Sequence, residues 1–223
     1  MSSLPVTYEM VRHSAEINTY IQQADASLKA LGFTEHSFAH TTRTAVTACH
    51  ILEVLGYPDR TAQLAKIAGY IHDIGNVVNR VNHAQSGAVM AFRILDKLGM
   101  DPGEVATIIS AIGNHDEGTA FPVNEVAAAL ILADKSDVRR TRVRSKDFST
   151  FDIHDRVNYA VEDSSLHLDV DAHTVTLSLT IDTSIGSVMD YFEIFMERML
   201  LCRRAASFLN LTFHLVINQT TVL

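Results

Sequence analysis

Two apolar runs in this chain end in an acid. LAKIAGYIHDIGN carries the pair His72-Asp73 near its close, and VAAALILAD ends on Asp134. A carboxylate at the end of such a run is costly to bury unless it is paired or bound to a cation. Histidines extend the pattern. His40, His72-Asp73, His83, His115 and Asp134 follow one another at intervals of 32, 10, 32 and 19 residues. Each interval is close to one helix plus its connection, or to two of them. Acidic breaks supplied with histidines from other helices are what a buried metal centre of a helical protein requires.

Helical periodicity supports that reading. Met10, Ile17, Ile21, Leu28 and Leu31 predict a helix over 7–31, stopped by Gly32. A second helix is expected over 36–55, ended by Gly56-Tyr57-Pro58. A third runs from an Asp59 cap to His72-Asp73. Further helices are expected over 83–98, from Asp101-Pro102 to about 113, and over 124–141. After residue 147 the pattern changes to period-two alternation, with Leu166, Leu168 and Val170, then Val175, Leu177, Leu179 and Ile181. Asp171-Ala172-His173 reads as the hairpin turn between them. An apolar helix over 186–209 and a single final strand in LTFHLVINQTTVL complete a β-β-α-β module. The expected fold is mainly α: a helical bundle of about six helices over 1–146, with a small α+β module over 147–223. That module has too little core to stand alone, so packing on the helices or dimerisation is its expected role.

With the motifs assembled, the chain resembles the HD superfamily of metal-dependent phosphohydrolases. The resemblance rests on HTTR at 40–43, HDIGN at 72–76, NHAQSG at 82–87, IGNHDEG at 112–118 and LADKSD at 132–137. It spans roughly residues 20–142. It implies that His40, His72, Asp73 and Asp134 bind one metal, and that His83 and His115 occupy the positions that bind a second in two-metal members. Asp73 would then bridge the pair, one oxygen to each ion. Mixed histidine and carboxylate ligation suits iron, manganese, zinc or cobalt. The implied reaction is attack of a metal-bound hydroxide on a nucleotide or other small phosphate ester or anhydride. Asp73, His115 and Lys135 are the candidate catalytic residues. His115 or a nearby acid would assist proton transfer. Lys135 would either neutralise a substrate phosphate or pair with Asp137 or Glu117.

Departures from the family narrow the reading. The cyclic-dinucleotide hydrolases known as HD-GYP proteins carry two consecutive histidines where this chain has Asn114-His115, and a downstream Gly-Tyr-Pro where it reads GTAFPVN. The chain looks more like the HD hydrolases of dinucleoside tetraphosphates. The same six ligands also suit a mixed-valent di-iron oxygenase, and a metal-binding regulatory protein is the third alternative.

The remaining residues invite plainer expectations. His36 is expected as an exposed helix-start residue, Arg43 as the partner of an acidic neighbour, and Asp116 and Glu117 as solvated loop acids. RRTRVRSK at 139–146 is expected as a solvated helix end, with a phosphate-contacting edge as the alternative. A net charge of −8 argues against a broad nucleic-acid surface. Cys49 and Cys202 read as buried free thiols rather than a disulfide. MSSLPVTYEM lacks the features of a signal peptide, and VAAALILA at 126–133 is far shorter than the roughly 20 residues that span a bilayer. These features predict a soluble cytoplasmic protein.

Overall fold

The structure, a computed structural model, describes residues 5–145 and 147–223, with Thr150 by its backbone only. Its first helical stretch is two helices rather than one. Helix α1 (Tyr8–Arg12) stops at His13, and Ser14 restarts the chain by accepting a hydrogen bond from the Ile17 amide at the head of α2 (Ala15–Ala30). Ile17, Ile21, Ala24 and Leu28 form the buried stripe of α2 at helical spacing. Gly32, at φ 83°, ends it with the Phe33 amide bonded back to the Leu28 carbonyl.

Helices α3 (Phe38–Val54) and α4 (Asp59–Ile71) pack tightly side by side. A Cβ on Gly69 would stand 2.7 Å from the Ala45 Cα, so only glycine permits that approach. Pro58, not Asp59, holds the cap position of α4, and no side chain caps it. After His72 the chain tightens into a 3-10 turn, Ile74–Val77, that seats Gly75 against the start of α5 (His83–Lys97). Any side chain at Gly75 would collide with the His83 carbonyl and the Gly87 amide. Helix α6 (Pro102–Gly113) is capped by Asp101, which accepts from the Gly103 amide at 2.8 Å.

Helix α7 (Glu125–Lys135) runs through the core, with every residue from Val126 to Ala133 buried. It ends at Lys135, six residues short of the expected boundary. There the backbone leaves the helix and Asp137 turns inward, where its carboxylate is held by His40 and Arg139. The basic stretch that follows is no solvated helix end. Arg142 is 4% exposed, Arg139 pairs with Asp137, and Arg144 pairs with Asp25. Lys146 lies outside the described residues.

The C-terminal segment adds a short helix that alternation had masked. Helix α8 (Ile153–Ala160) is capped by Asp152, accepting from the Asp155 amide at 2.7 Å, and buries Val157, Asn158 and Ala160. Strand β1 (Val161–Asp169) pairs antiparallel with β2 (Thr174–Ile181) through a turn at 170–173. Helix α9 (Val188–Phe208), opened by a Ser187–Asp190 capping box, carries the chain over to β3 (Thr212–Ile217), which lies parallel to β2. The expected final strand is interrupted at Asn218-Gln219, both at positive φ, and returns as the two-residue β4 (Thr220–Thr221). The fold is mainly helical with a four-stranded sheet ordered β1-β2-β3-β4. Helix α9 buries Tyr191, Phe195, Met199 and Cys202 and packs directly on α7.

Candidate metal centre

Six side chains from five places in the fold converge on one point. His40 stands in the first turn of α3, and His72 and Asp73 close α4. His83 opens α5, His115 follows α6, and Asp134 sits in the last turn of α7. Each lies at or near a helix end, where the axis can be aimed inward while the apolar face of the helix stays in the core. All four histidines are at most 1% exposed, and Asp73 is 5% exposed.

Asp73 organises the cluster. Its Oδ2 lies 3.2 Å from His72 Nε2 and 3.6 Å from His40 Nε2, while Oδ1 lies 3.4 Å from His83 Nε2 and 3.9 Å from His115 Nε2. Asp134 Oδ1 closes the first side at 3.3 Å from His40 Nε2 and 3.7 Å from His72 Nε2. Ligand atoms around one transition-metal ion at about 2.1 Å bonds stand roughly 3.0–3.4 Å apart, so these separations are close to those of a shared cation.

The histidines are oriented from behind. His72 Nδ1 meets the Gly69 carbonyl at 2.9 Å, His115 Nδ1 the Ile112 carbonyl at 2.6 Å, and His83 Nδ1 the Arg80 carbonyl at 3.0 Å. His40 Nδ1 meets Asp137 Oδ2 at 2.7 Å. An acceptor at Nδ1 favours a proton there and aims Nε2 at the centre, where its lone pair would meet a bound ion; His83 Nε2 also lies 3.1 Å from Arg80 Nη1. His40 Nε2 and His72 Nε2 are buried without a hydrogen-bond partner, despite the carboxylates nearby. Orphaned buried nitrogens of this kind call for a cation, and the donor set fits one. Two groups of described residues could hold a metal ion: His40, His72 and Asp134, and His72, Asp73 and His115.

Electrostatics follow from burial and close pairing. Burial alone would depress the His72 imidazole, but Asp73 and Asp134 outweigh it and raise it to about 10. Burial, reinforced by His72 and Lys135, pushes His115 down to about 3. Burial opposes ionisation of Asp73 and Asp134, yet His72 beside the first and Lys135 beside the second hold both well below the usual carboxylate range.

Around the six stands a shell that the sequence shows less clearly. Lys135 Nζ is ion-paired with Asp134 Oδ2 at 2.8 Å and with Glu117 Oε1 at 3.3 Å, so among the described residues its partners include Glu117 but not Asp137. Glu117 is no solvated loop acid: it is gripped between Lys135 and Arg198 Nε at 2.6 Å. Asp116 lines the cavity with Oδ1 3.8 Å from His83 Nε2. His36 is half-buried with its ring 5.5 Å from that of His40, and burial and the nearby Arg142 hold it neutral. Arg43 does pair with an acidic neighbour, Asp137 Oδ1 at 3.2 Å, and donates to the Ser164 carbonyl. Asp137 and Arg198 are the contributors that sequence reasoning missed. Asp137 stood in the LADKSD motif but read as a partner of Lys135, and Arg198 carried no local signal.

Helices delivering histidine and aspartate to a buried centre define a helical metal-site protein of the histidine–aspartate type. The chain matches the HD domain family over residues 37–156, and it belongs to that family. It is 23% identical over 159 residues to the uncharacterized protein MJ1020 of Methanocaldococcus jannaschii, a match that covers 61% of each chain. The chain thus spans about three-fifths of that relative's length. A crystal structure of a predicted HD superfamily hydrolase from an uncultured Thermotogales bacterium shares 28% identity, over 57% of this chain and 69% of that one, with a TM-score of 0.46. Among the described residues no helix is long and apolar enough to cross a membrane.

Proposed function

We propose that this chain is a metal-dependent phosphohydrolase acting on a nucleotide or another small phosphate ester or anhydride. The observation that carries the reading is Asp73, whose two oxygens each face a different pair of histidines within 3.2–3.9 Å. His40, His72, Asp134 and Asp73 Oδ2 would hold one divalent cation, and Asp73 Oδ1, His83 and His115 a second. Bound cations supply Lewis acidity that activates water and polarises a phosphoryl group. Among this chain's own groups, Lys135 fixes the orientation of Asp134 and adds positive charge to the cavity wall. His115 serves as a neutral ligand, because its buried imidazole resists protonation. The acid placed to move a proton is Asp116, which lines the cavity; Glu117 is committed to Lys135 and Arg198. We further propose iron, manganese, zinc or cobalt as the metal, a cytoplasmic setting, and a structural or dimerising role for the sheet of the segment 147–223.

Elemental analysis of freshly purified protein gives the identity and number of metal ions. A panel of nucleotides and an aryl phosphate, assayed with manganese, iron and cobalt, then tests the reaction. Release of phosphate that depends on metal and disappears in Asp73→Ala is the expected result. Iron with a mixed-valent spin signature and oxygen consumption, without phosphate release, would replace the hydrolase by an oxygenase.

A further inference from the structure

The cavity at the metal centre adjoins a larger cleft of about 310 Å³, walled in part by Phe33, Asn158 and Phe195. Four side chains line both spaces: His36, Arg80, Arg142 and Arg198. Three of them are guanidiniums, and each is held in place by the protein. Arg142 is 4% exposed, with Nε donating to the Glu35 carbonyl at 2.9 Å and Nη1 to the Asp137 carbonyl at 2.8 Å. Among the described residues, no hydrogen bond is made by its Nη2. Arg198 stacks over the Phe195 ring at 4.5 Å and is ion-paired with Glu117, its Nε 2.6 Å from Oε1. Arg80 lies 5.7 Å from the Phe33 ring centre, with Nη2 3.8 Å from Asp116 and Nη1 3.1 Å from His83 Nε2 and 3.5 Å from Asn76 Oδ1. Guanidiniums fixed by stacking and by backbone acceptors lose little freedom when they bind, and their forked donors match phosphate oxygens.

Charge makes the same demand. The inner cavity is lined by Arg80, Lys135, Arg142 and Arg198 against Asp73, Asp116 and Asp134, and Glu117 pairs with two of the cations. With His72 neutral, as a metal ligand must be, these acids and bases balance. Each divalent cation then adds two positive charges that the lining does not offset. A single phosphoryl dianion compensates one such cation. Two cations would carry one positive charge more than a phosphoryl dianion and a metal-bound hydroxide offset, and a second phosphoryl group on the arginines meets that surplus, with Asp152 and Asp155 also lining the cleft.

We propose that Arg80, Arg142 and Arg198 form a binding site for a second phosphoryl group of the substrate, so that the substrate class is a compound bearing two phosphoryl groups. The inference rests on the hydrolase reading above and names the substrate class of that same site. The reacting group lies at the metal centre and the second in the mouth of the cleft. Arg198 stands on α9, beyond the part of the chain that matches the HD domain family, so the C-terminal segment completes the substrate site.

The test compares propylphosphonate with propane-1,3-diphosphonate, two probes that a phosphohydrolase cannot cleave and that differ only by the second phosphonate. Binding to manganese-loaded protein is measured by calorimetry, with manganese content checked after the titration. The parent should bind the diphosphonate at least about 30-fold more tightly, and Arg198→Gln or Arg80→Gln should each cut that preference about 10- to 100-fold, the range for one charge-assisted contact. Because Arg198→Gln leaves Glu117 with Lys135 alone, the double variant Arg198→Gln/Glu117→Gln repeats the measurement without that unbalanced carboxylate. Equal binding of the two phosphonates by the parent overturns the inference, as does a preference undiminished in both single variants. Failure of the hydrolase reading looks different: no manganese is retained and no substrate turns over. The titration on metal-free protein then isolates the arginines, and loss of the preference there also overturns the inference.

Discussion

Replacing Asp73 by Asn keeps the shape of the side chain and removes its charge. Among the described residues Asp73 is the one carboxylate that reaches both sides of the cluster, with four histidine nitrogens within 3.2–3.9 Å of its two oxygens. An amide offers one oxygen in place of two, and its NH₂ group points a donor at whichever side loses the oxygen. Both ions should therefore be lost or greatly weakened, whereas His83→Ala or His115→Ala should release only one. A ligand that binds only the folded state, present at a thousand times its dissociation constant, stabilises by about 4 kcal/mol. For a chain of this size each kcal/mol moves the midpoint by about 2–4 °C, so saturating metal should raise the Tm of the parent by about 10 °C. Asp73→Asn should show almost none of that increment. The assay is a melting curve with and without manganese, beside elemental analysis of the same samples. His50→Ala, on an exposed face of α3, serves as the control and should keep the parental metal count. Retention by Asp73→Asn of two equivalents and the full increment would refute the bridging assignment. Retention of the parental count by both His83→Ala and His115→Ala would leave a mononuclear centre.

Other expectations follow from the same geometry. Asp137→Asn weakens the acceptor that holds His40 Nδ1 at 2.7 Å, and metal affinity should drop about 10- to 100-fold with the fold intact, as metal titration would show. Metal-free protein should be most stable near pH 6.5. His115, lowered to about 3, binds its proton in the unfolded chain first, so its contribution is lost as pH falls from 6.5 toward 3; His72, raised to about 10, is protonated in the folded chain, so its contribution is lost as pH rises from 6.5 through 10. A Tm that rises or falls monotonically from pH 5 to 9 contradicts that pairing. Gly75→Ala should cost about 1–3 kcal/mol or more, because the new methyl meets the His83 carbonyl and Gly87 amide, whereas Gly118→Ala, with nothing within 4 Å, should stay within about 0.5 kcal/mol in denaturant unfolding. Cys202, its thiol pushed up to about 12 by burial, should resist alkylation at pH 8 until the protein is unfolded.

The parts of this molecule that were legible in its sequence are those where one residue must satisfy two demands at once. An aspartate closing an apolar run has to be buried by its neighbours and balanced by something else, and that conflict is visible at Asp73 and Asp134 without coordinates. Histidines one helix apart supply the balance, and the structure brings all six residues together. Residues meeting only one demand were read less well. Glu117 and His36 look like ordinary solvated positions, because what encloses them arrives from distant segments: Arg198 on α9 for the first, Arg142 after α7 for the second. Helix α8 was hidden because its eight residues run straight into the alternation of β1, so the period-two signal overrode the Asp152 cap that marks its start. The sequence left open whether the C-terminal module packs on the helices or on a second subunit, since periodicity describes neighbours in sequence and is silent about which faces meet. Helix α9 meets α7 along its apolar side, and that packing carries Arg198 to the rim of the centre. A charge delivered by tertiary packing leaves no spacing in the sequence. The six residues that converge at this centre could therefore be found from the chain alone, while the groups around its mouth required the fold.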